Sequence, residues 1–366
     1  MRGWSGIDVD LQFSPLPYPS PRSTEERGPD NTESKNMPLP EKCTLGKNAS
    51  RSEILLSLAR VKDSSRLFLG ASDGQVYDID LATEKPEFKS WAGHASYVTG
   101  LALANETLVS GSYDGKLIWR SIVTGEIIRT TEAHSRWIRK LAVSPDGQRC
   151  ASVADDMVCR VWEIESGKLV HELKGHEEKT PNHFPSMLYT CAFSPNGQHL
   201  ATADRVGQIC IWDASSGAKV QTLQAPGFYT WDPKQRIHSI GGIRSVAFSP
   251  DGARIVVGGI GHIGNIDHLD GPSRVEYFAW EKAEKLHEFL GDAKGLVESF
   301  AFGPDGNWVI GVGGDNGGLI QVYDLEAKKV VRSEKAPMHV HAAVLNETAD
   351  KLFACGHGKV GVWELA

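Results

Sequence analysis

The 366-residue chain has no apolar run near the roughly 18 residues that a membrane-spanning helix needs. Its opening stretch, MRGWSGIDVDLQFSPLPYPSPR, has acidic residues where a secretory signal needs a greasy segment, so no such signal is evident. Lys and Arg are spread along the chain without a basic block, no RNP-like motif appears, and the net charge is −7. Nucleic-acid binding therefore gains no support. Walker A, H-E-x-x-H and zinc-type cysteine spacings are missing, so no metal and no cofactor are expected. The six cysteines lie in apolar, strand-like runs without a C-x-x-C pair, which reads as free buried thiols in a reducing compartment. Sequons at Asn48, Asn105 and Asn346 carry little weight without secretion. These absences describe a cytoplasmic chain with no membrane and no nucleic acid among its partners.

What the chain does contain is repetition. VSPDGQRCASVADDMVCRVWEIESGKLV, starting at Val143, has relatives at Ala192 (AFSPNGQHLATADRVGQICIWDASSG), Ala247 (AFSPDGARIVVGG) and Ala301 (AFGPDGNWVIGVGG). Each unit has a short apolar run and then a Pro-Asp-Gly-type turn, in which Pro presets φ and Gly supplies a positive one. A second run, another tight turn, a third run ending in Trp-Asp or a variant, and a fourth run follow. Four short strands in a row make a meander sheet. Third-strand ends at Ile79, Arg120, Trp162, Trp212, Trp280, Tyr323 and Trp363 set the register. Most of the steps between them fit the 40–45-residue period of a propeller blade, and two carry insertions.

With Gly93-His94, Ala133-His134 and Gly175-His176 ahead of successive units, the stretch from about Met37 to Ala366 resembles the WD40-repeat family. The resemblance implies an all-β fold: a single seven-bladed β-propeller of four-stranded antiparallel blades. It also implies a buried Asp-His-Ser/Thr-Trp network, which maps fully onto His134, Ser152, Asp156 and Trp162. The second unit keeps His94, Ser110 and Asp114, with Arg120 in the tryptophan slot. The fourth keeps His176, Thr202 and Trp212, with Val206 where the acid would sit. Asp156 is thus expected to be structural, because a buried carboxylate is stable only when hydrogen-bonded.

A ring must remove its open edges. The chain ends just after a third strand, so Pro38 to Leu45 is expected to supply the missing outer strand and close the last blade. Residues 1–36, rich in Pro, Ser, Glu and Asn, are expected to form a disordered tail, with translation starting at Met37 as an open alternative.

Enzyme-like motifs fare poorly against this pattern. Gly70-Ala-Ser72-Asp-Gly74 matches a nucleophile elbow but falls on a turn between strands, and Gly259-Ile-Gly261-His-Ile-Gly264 lacks the following helix that a dinucleotide needs. His339-Val-His341 offers two metal-ligand types, but its sequence neighbours supply no carboxylate, so it reads as structural or solvated.

Three insertions interrupt the repeat: Glu177–Met187, Ala225–Gly242 and Gly259–Ser273. Loops held by a rigid scaffold are where binding concentrates. They carry Phe184, Phe228, Tyr229 and Trp231, with His183, His238, His262, His268, Asp267 and Asp270. The resemblance implies a non-enzymatic scaffold, monomeric within a complex, that binds protein or peptide partners. Trp231, Tyr229 and Phe184 are the expected anchors. The competing reading is a propeller enzyme, or a small-ligand or metal sensor, built on the His and Asp residues of the same loops or on the central channel.

Overall fold

The computed structural model describes residues 39–234, 239–264, 271–315 and 317–366. The alternating runs become strands β1 (Cys43–Arg60), β2 (Arg66–Ala71), β3 (Val76–Asp80) and β4 (Lys89–Trp91). A four-stranded meander follows, β5 (Val98–Ala104), β6 (Thr107–Ser112), β7 (Lys116–Ser121) and β8 (Ile127–Glu132). The next two are β9 (Ile138–Val143) with β10 (Arg149–Ala154), β11 (Val158–Glu163) and β12 (Leu169–Lys174), then β13 (Leu188–Phe193) with β14 (His199–Asp204), β15 (Gln208–Asp213) and β16 (Lys219–Gln224). A small hairpin, β17 (Tyr229–Trp231) and β18 (Ser239–Gly241), precedes the meander β19 (Ile243–Phe248), β20 (Arg254–Ile260), β21 (Pro272–Ala279) and β22 (Glu284–Lys294). After β23 (Leu296–Phe302), β24 (Trp308–Gly314), β25 (Gly318–Asp324) and β26 (Lys329–Ala336) come β27 (Val340–Leu345) and β28 (Lys351–Leu365).

The result is a β-propeller, but its blades number six, not the seven expected. Five are four-stranded. The strands expected to form separate first and last blades are continuous in one six-stranded sheet, ordered β27-β28-β1-β2-β3-β4. The physical cause is the length of β1 and β28. The first part of β1 pairs antiparallel with β28, from Cys43 opposite Leu365 through Leu45 opposite Trp363 to Ser50 opposite Lys359. Its second part, Leu55–Arg60, pairs with β2. β28 doubles back at Gly358, where φ is +67°, and the Leu365 N–H donates to the Asp350 carbonyl. The start of the described residues is thereby joined to Ala366, with the Lys42 N–H donating to the Ala366 carbonyl at 2.8 Å. This pairing starts at Cys43 and runs well beyond Leu45, so the expected closing strand Pro38–Leu45 is displaced toward the C-terminus. Pro38 and residues 1–36 lie outside the described residues.

Inner strands adjoin in the circular order β1, β5, β9, β13, β19, β23, β27 and back to β1, the six-stranded sheet contributing two of them. Second and third strands are buried on both faces, while outer strands such as β8 alternate between exposed and half-buried. Apolar clusters accordingly lie between neighbouring sheets. Trp119 and Leu117 pack with Ile138, Cys150 and Trp162, and Ala201, Ile209 and Ile211 pack with Phe228, Val257 and Phe278. Each fully buried large aliphatic side chain contributes about 1.5–3 kcal/mol.

The Pro-Asp-Gly turns share one mechanism. In the first, the Ser144 hydroxyl bonds the Asp146 carboxylate, the Gln148 N–H donates to that carboxylate, and Gly147 adopts φ +68°. Gly70–Gly74 lies at the β2–β3 turn, where the Ser72 hydroxyl accepts the Ile54 N–H, and no helix follows. No helix among the described residues is long and apolar enough to cross a membrane.

Candidate functional site

Three histidines fix the loops that enter the inner strands. His134 bonds Asp156 through Nδ1 at 3.1 Å and Ser152 through Nε2 at 2.8 Å, and Trp162 Nε1 donates to the same hydroxyl at 2.9 Å. Arg160 adds an ion pair to Asp156 at 2.9 Å. Burial alone would raise Asp156, but the His134 and Arg160 contacts outweigh it and hold the carboxyl well below its usual range. Burial pushes His134 down. His94 repeats the arrangement with Asp114 at 3.0 Å and Ser110 at 2.9 Å. Against the push of burial, His94 and the N–H groups of Ala95 and Lys116 hold Asp114 at about 2. Arg120 occupies the tryptophan position, almost fully buried, with its guanidinium on the Ala92 and Gly125 carbonyls.

In the fourth unit His176 bonds Thr202 at 2.8 Å, and Trp212 donates to the same hydroxyl at 2.9 Å. The acid is Asp204, at 2.8 Å from His176, and not the residue at the Val206 position. It comes two residues early, from the end of β14, and its other oxygen accepts the Val206 and Gln208 N–H groups. Burial alone would lower His176, but Asp204 and Cys210 raise it to about 9.

These networks aim side chains at one end of the ring. Asp114 also accepts the Ala95 N–H and Asp156 the Ser135 N–H, so the residues that follow each histidine are held in place. Three positions beyond His94 and His134 stand Tyr97 and Trp137, which are 44% and 50% exposed. Between them lies Tyr113. Its ring is 5.5 Å from Tyr97 and 4.6 Å from Trp137, stacked on the latter at 3°. Arg139 lies behind the stack, its guanidinium 4.9 Å from the Tyr113 ring and 5.2 Å from that of Trp137. Asp155 holds it with two bonds, of 2.8 and 2.6 Å. Beside the stack opens a cleft of about 490 Å³, lined by Trp137, Arg136, Asp155, Pro185 and Met187 among others. Sequence reading missed this cluster. The signal was the shared offset of an aromatic from the repeat histidine, in Tyr97 and Trp137 alike.

The insertions do come together. The Phe184 ring packs 5.3 Å from Trp231, the Tyr229 hydroxyl donates to the Asn182 side chain, and the Ile263 N–H donates to Thr230. They are not a free aromatic face, however. Phe228, a candidate partner-binding residue, is instead fully buried in the core among Ile209, Val257 and Phe278. Phe184, Tyr229 and Trp231 are half-buried against one another's loops. His183 and His262 are exposed, whereas His238, Asp267, His268 and Asp270 lie outside the described residues. Gly259–Gly264 leads from β20 into a loop with no helix N-terminus among the described residues.

Near the axis a smaller cavity of about 160 Å³ is lined by Leu56, Thr99, Arg139, Lys140, Tyr189, Arg244, Glu298 and His341 from the inner strands, together with Tyr113. The Arg244 guanidinium lies 3.8 Å above the Tyr189 ring. The carboxylate that His339-Val-His341 lacks in sequence is supplied in space by Glu298, whose Oε1 lies 3.9 Å from His339 Nε2.

Comparison with known proteins follows the same lines. The family described as "WD domain, G-beta repeat" matches residues 125–163, 167–213 and 233–262. Apoptotic protease-activating factor 1 of Rattus norvegicus is 27% identical over 62% of this chain and 17% of its own length. Nuclear distribution protein PAC1-2 of Uncinocarpus reesii is 32% identical over 43% of the chain and 34% of its own. The guanine nucleotide-binding protein subunit beta of Oryza sativa subsp. indica is 27% identical, covering 57% and 47% respectively. The chain thus spans less than half the length of each of these relatives.

Proposed function

Since this chain is a member of the WD40-repeat family, we propose that it is a non-enzymatic scaffold that grips a protein segment at the face carrying Tyr97, Tyr113 and Trp137. WD-repeat relatives typically serve as protein-interaction scaffolds. The observation that carries the reading is Trp137: half of a large apolar ring stands in solvent, made rigid from behind by a parallel Tyr113. Aromatic anchors next to a desolvated cleft are the usual hot spots of interfaces. A cleft near 490 Å³ suits one or two side chains of an extended peptide. Arg136 is exposed at its edge, which favours an apolar residue followed by an acidic one in the partner. The enlarged loop Glu177–Met187 contributes Pro185 and Met187 to the same cleft and so joins the contact. The six free cysteines fit a reducing compartment, and we place the protein in the cytoplasm.

The test uses a peptide array of apolar–acidic segments, with hits confirmed by calorimetry on the full chain. Trp137→Ala is expected to cost about 2 kcal/mol or more, at least a tenfold loss of affinity. Trp231→Ala should cost less. If folded Trp137→Ala binds every hit like the wild type, the reading fails.

A further inference from the structure

We propose that Glu298, His339 and His341 form a binding site for a divalent transition-metal ion of the zinc class, beside the central channel. The site joins two adjacent inner strands. Glu298 comes from β23, and the histidines flank Val340 at the start of β27. His339 precedes β27 and the pairing register shifts between Val340 and Ala342, so the local backbone is irregular at His341. Val340 is fully buried in the core, while both imidazoles bring a donor atom close to the Glu298 carboxylate. One donor atom from each residue can be chosen so that all three lie within 4.8 Å of one another.

Two further observations point to a ligand. His339 Nδ1 lies 2.8 Å from the Asp315 carbonyl, a contact that requires it to be the donor. This leaves Nε2 as the lone-pair atom facing the cluster, the usual outer-shell device for orienting a metal-binding imidazole. The Nε2 atoms of both His339 and His341 are also buried without a hydrogen-bond partner. One cation answers both, since zinc-class ions take imidazole nitrogen and carboxylate oxygen together. Bonds of roughly 2.0–2.2 Å bring tetrahedral donors to about 3.4 Å apart, so the side chains close inward by roughly an ångström on binding. Three protein ligands leave a position open toward the axial cavity. His357 flanks the cluster, its ring 5.1 Å from each of the other two.

The opposing charges are also clear. Lys140 and Arg244 line the same cavity as Glu298 and His341. Their repulsion weakens capture of a dication, and they favour an anion at the open position. Removing one charge should therefore tighten binding, which a merely packed histidine pair does not predict.

The experiment uses the full chain, free of affinity tag, stripped with chelator, loaded with Zn²⁺ and desalted for elemental analysis. Affinity comes from titration calorimetry, and Co²⁺ absorption reports the ligand field. The expected result is one Zn²⁺ per chain, with His341→Ala and Glu298→Gln each losing tenfold or more in affinity. Lys140→Gln should gain severalfold, and the exposed His183→Ala and His262→Ala should change nothing. Co²⁺ should give the intense visible band of four- or five-coordination in the wild type, a readout that stands even if a variant does not fold. Failure of the stripped wild type to retain zinc overturns the proposal. So does wild-type affinity in folded His341→Ala and Glu298→Gln, or loss of binding in His183→Ala.

Discussion

Thr202→Val is the sharpest probe of what one buried histidine network contributes to the fold. The substitution keeps the side chain's shape and removes one hydroxyl. That hydroxyl accepts from His176 Nε2 at 2.8 Å and from Trp212 Nε1 at 2.9 Å, and its own proton points to the Cys210 carbonyl at 3.4 Å. Thr202 is fully buried and Trp212 nearly so, so water cannot replace what is lost. Leaving a buried donor without a partner costs about 1–3 kcal/mol, so two cost about 2–6 kcal/mol together. Unfolding entropy is about 2.1 cal/mol/K per residue, which over some 330 residues lowers Tm by about 3–9 °C. Urea melts should show a lower midpoint at constant slope. Thr202→Ser is the control: it keeps the hydroxyl, loses one methyl, and costs about 1 kcal/mol. A Thr202→Val protein as stable as Thr202→Ser would refute the argument, because the hydroxyl would then be holding nothing.

Two more outcomes follow from the same geometry. His176 is raised to about 9 because Asp204 and Cys210 outweigh burial, against an unfolded value near 6.5. Its contribution is therefore complete below about pH 6.5 and is lost as pH climbs through about 9. The stability gap between wild type and His176→Gln should narrow over that window, and a gap that widens or stays constant contradicts the sign. Burial pushes the Cys43, Cys191 and Cys355 thiols up to about 12. Native protein at neutral pH should thus react slowly with a thiol reagent at each of these positions, while denatured protein exposes all six cysteines. A fast-reacting Cys43, half-buried in the closing strand, would mean that β1 frays from β28.

Local chemistry was legible wherever a repeat announced itself. The four Pro-Asp-Gly or Pro-Asn-Gly turns, the third-strand tryptophans and the histidines mark elements within one sheet, where partners sit at fixed offsets. Asp204 shows how that rule breaks: the acid can move from turn to strand end and still reach His176, so counting from Thr202 led to Val206. Phe228 shows another limit. An aromatic in a polar insertion looks like an anchor, but the gap between β15 and β20 needed filling, and burial is the cheaper fate. The blade count failed for a third reason. The register marks locate third strands, but they do not say whether a strand stops, and β1 and β28 do not stop where a four-stranded blade would end.

The channel residues were legible in principle, and the route to them is general. Lys140, Arg244, Glu298 and His341 each follow closely on the first residue of an inner strand. Inner strands adjoin in chain order around the axis. Equivalent positions in successive repeats therefore meet although they are far apart in sequence, and His341 lies one repeat beyond Glu298. Searching near His339-Val-His341 along the chain found no carboxylate because the partner is a spatial neighbour through the ring. In a propeller, then, a candidate ligand set is sought by stepping one period, not one turn. The same step relates Tyr97 to Trp137, which share the position three beyond a repeat histidine and flank Tyr113.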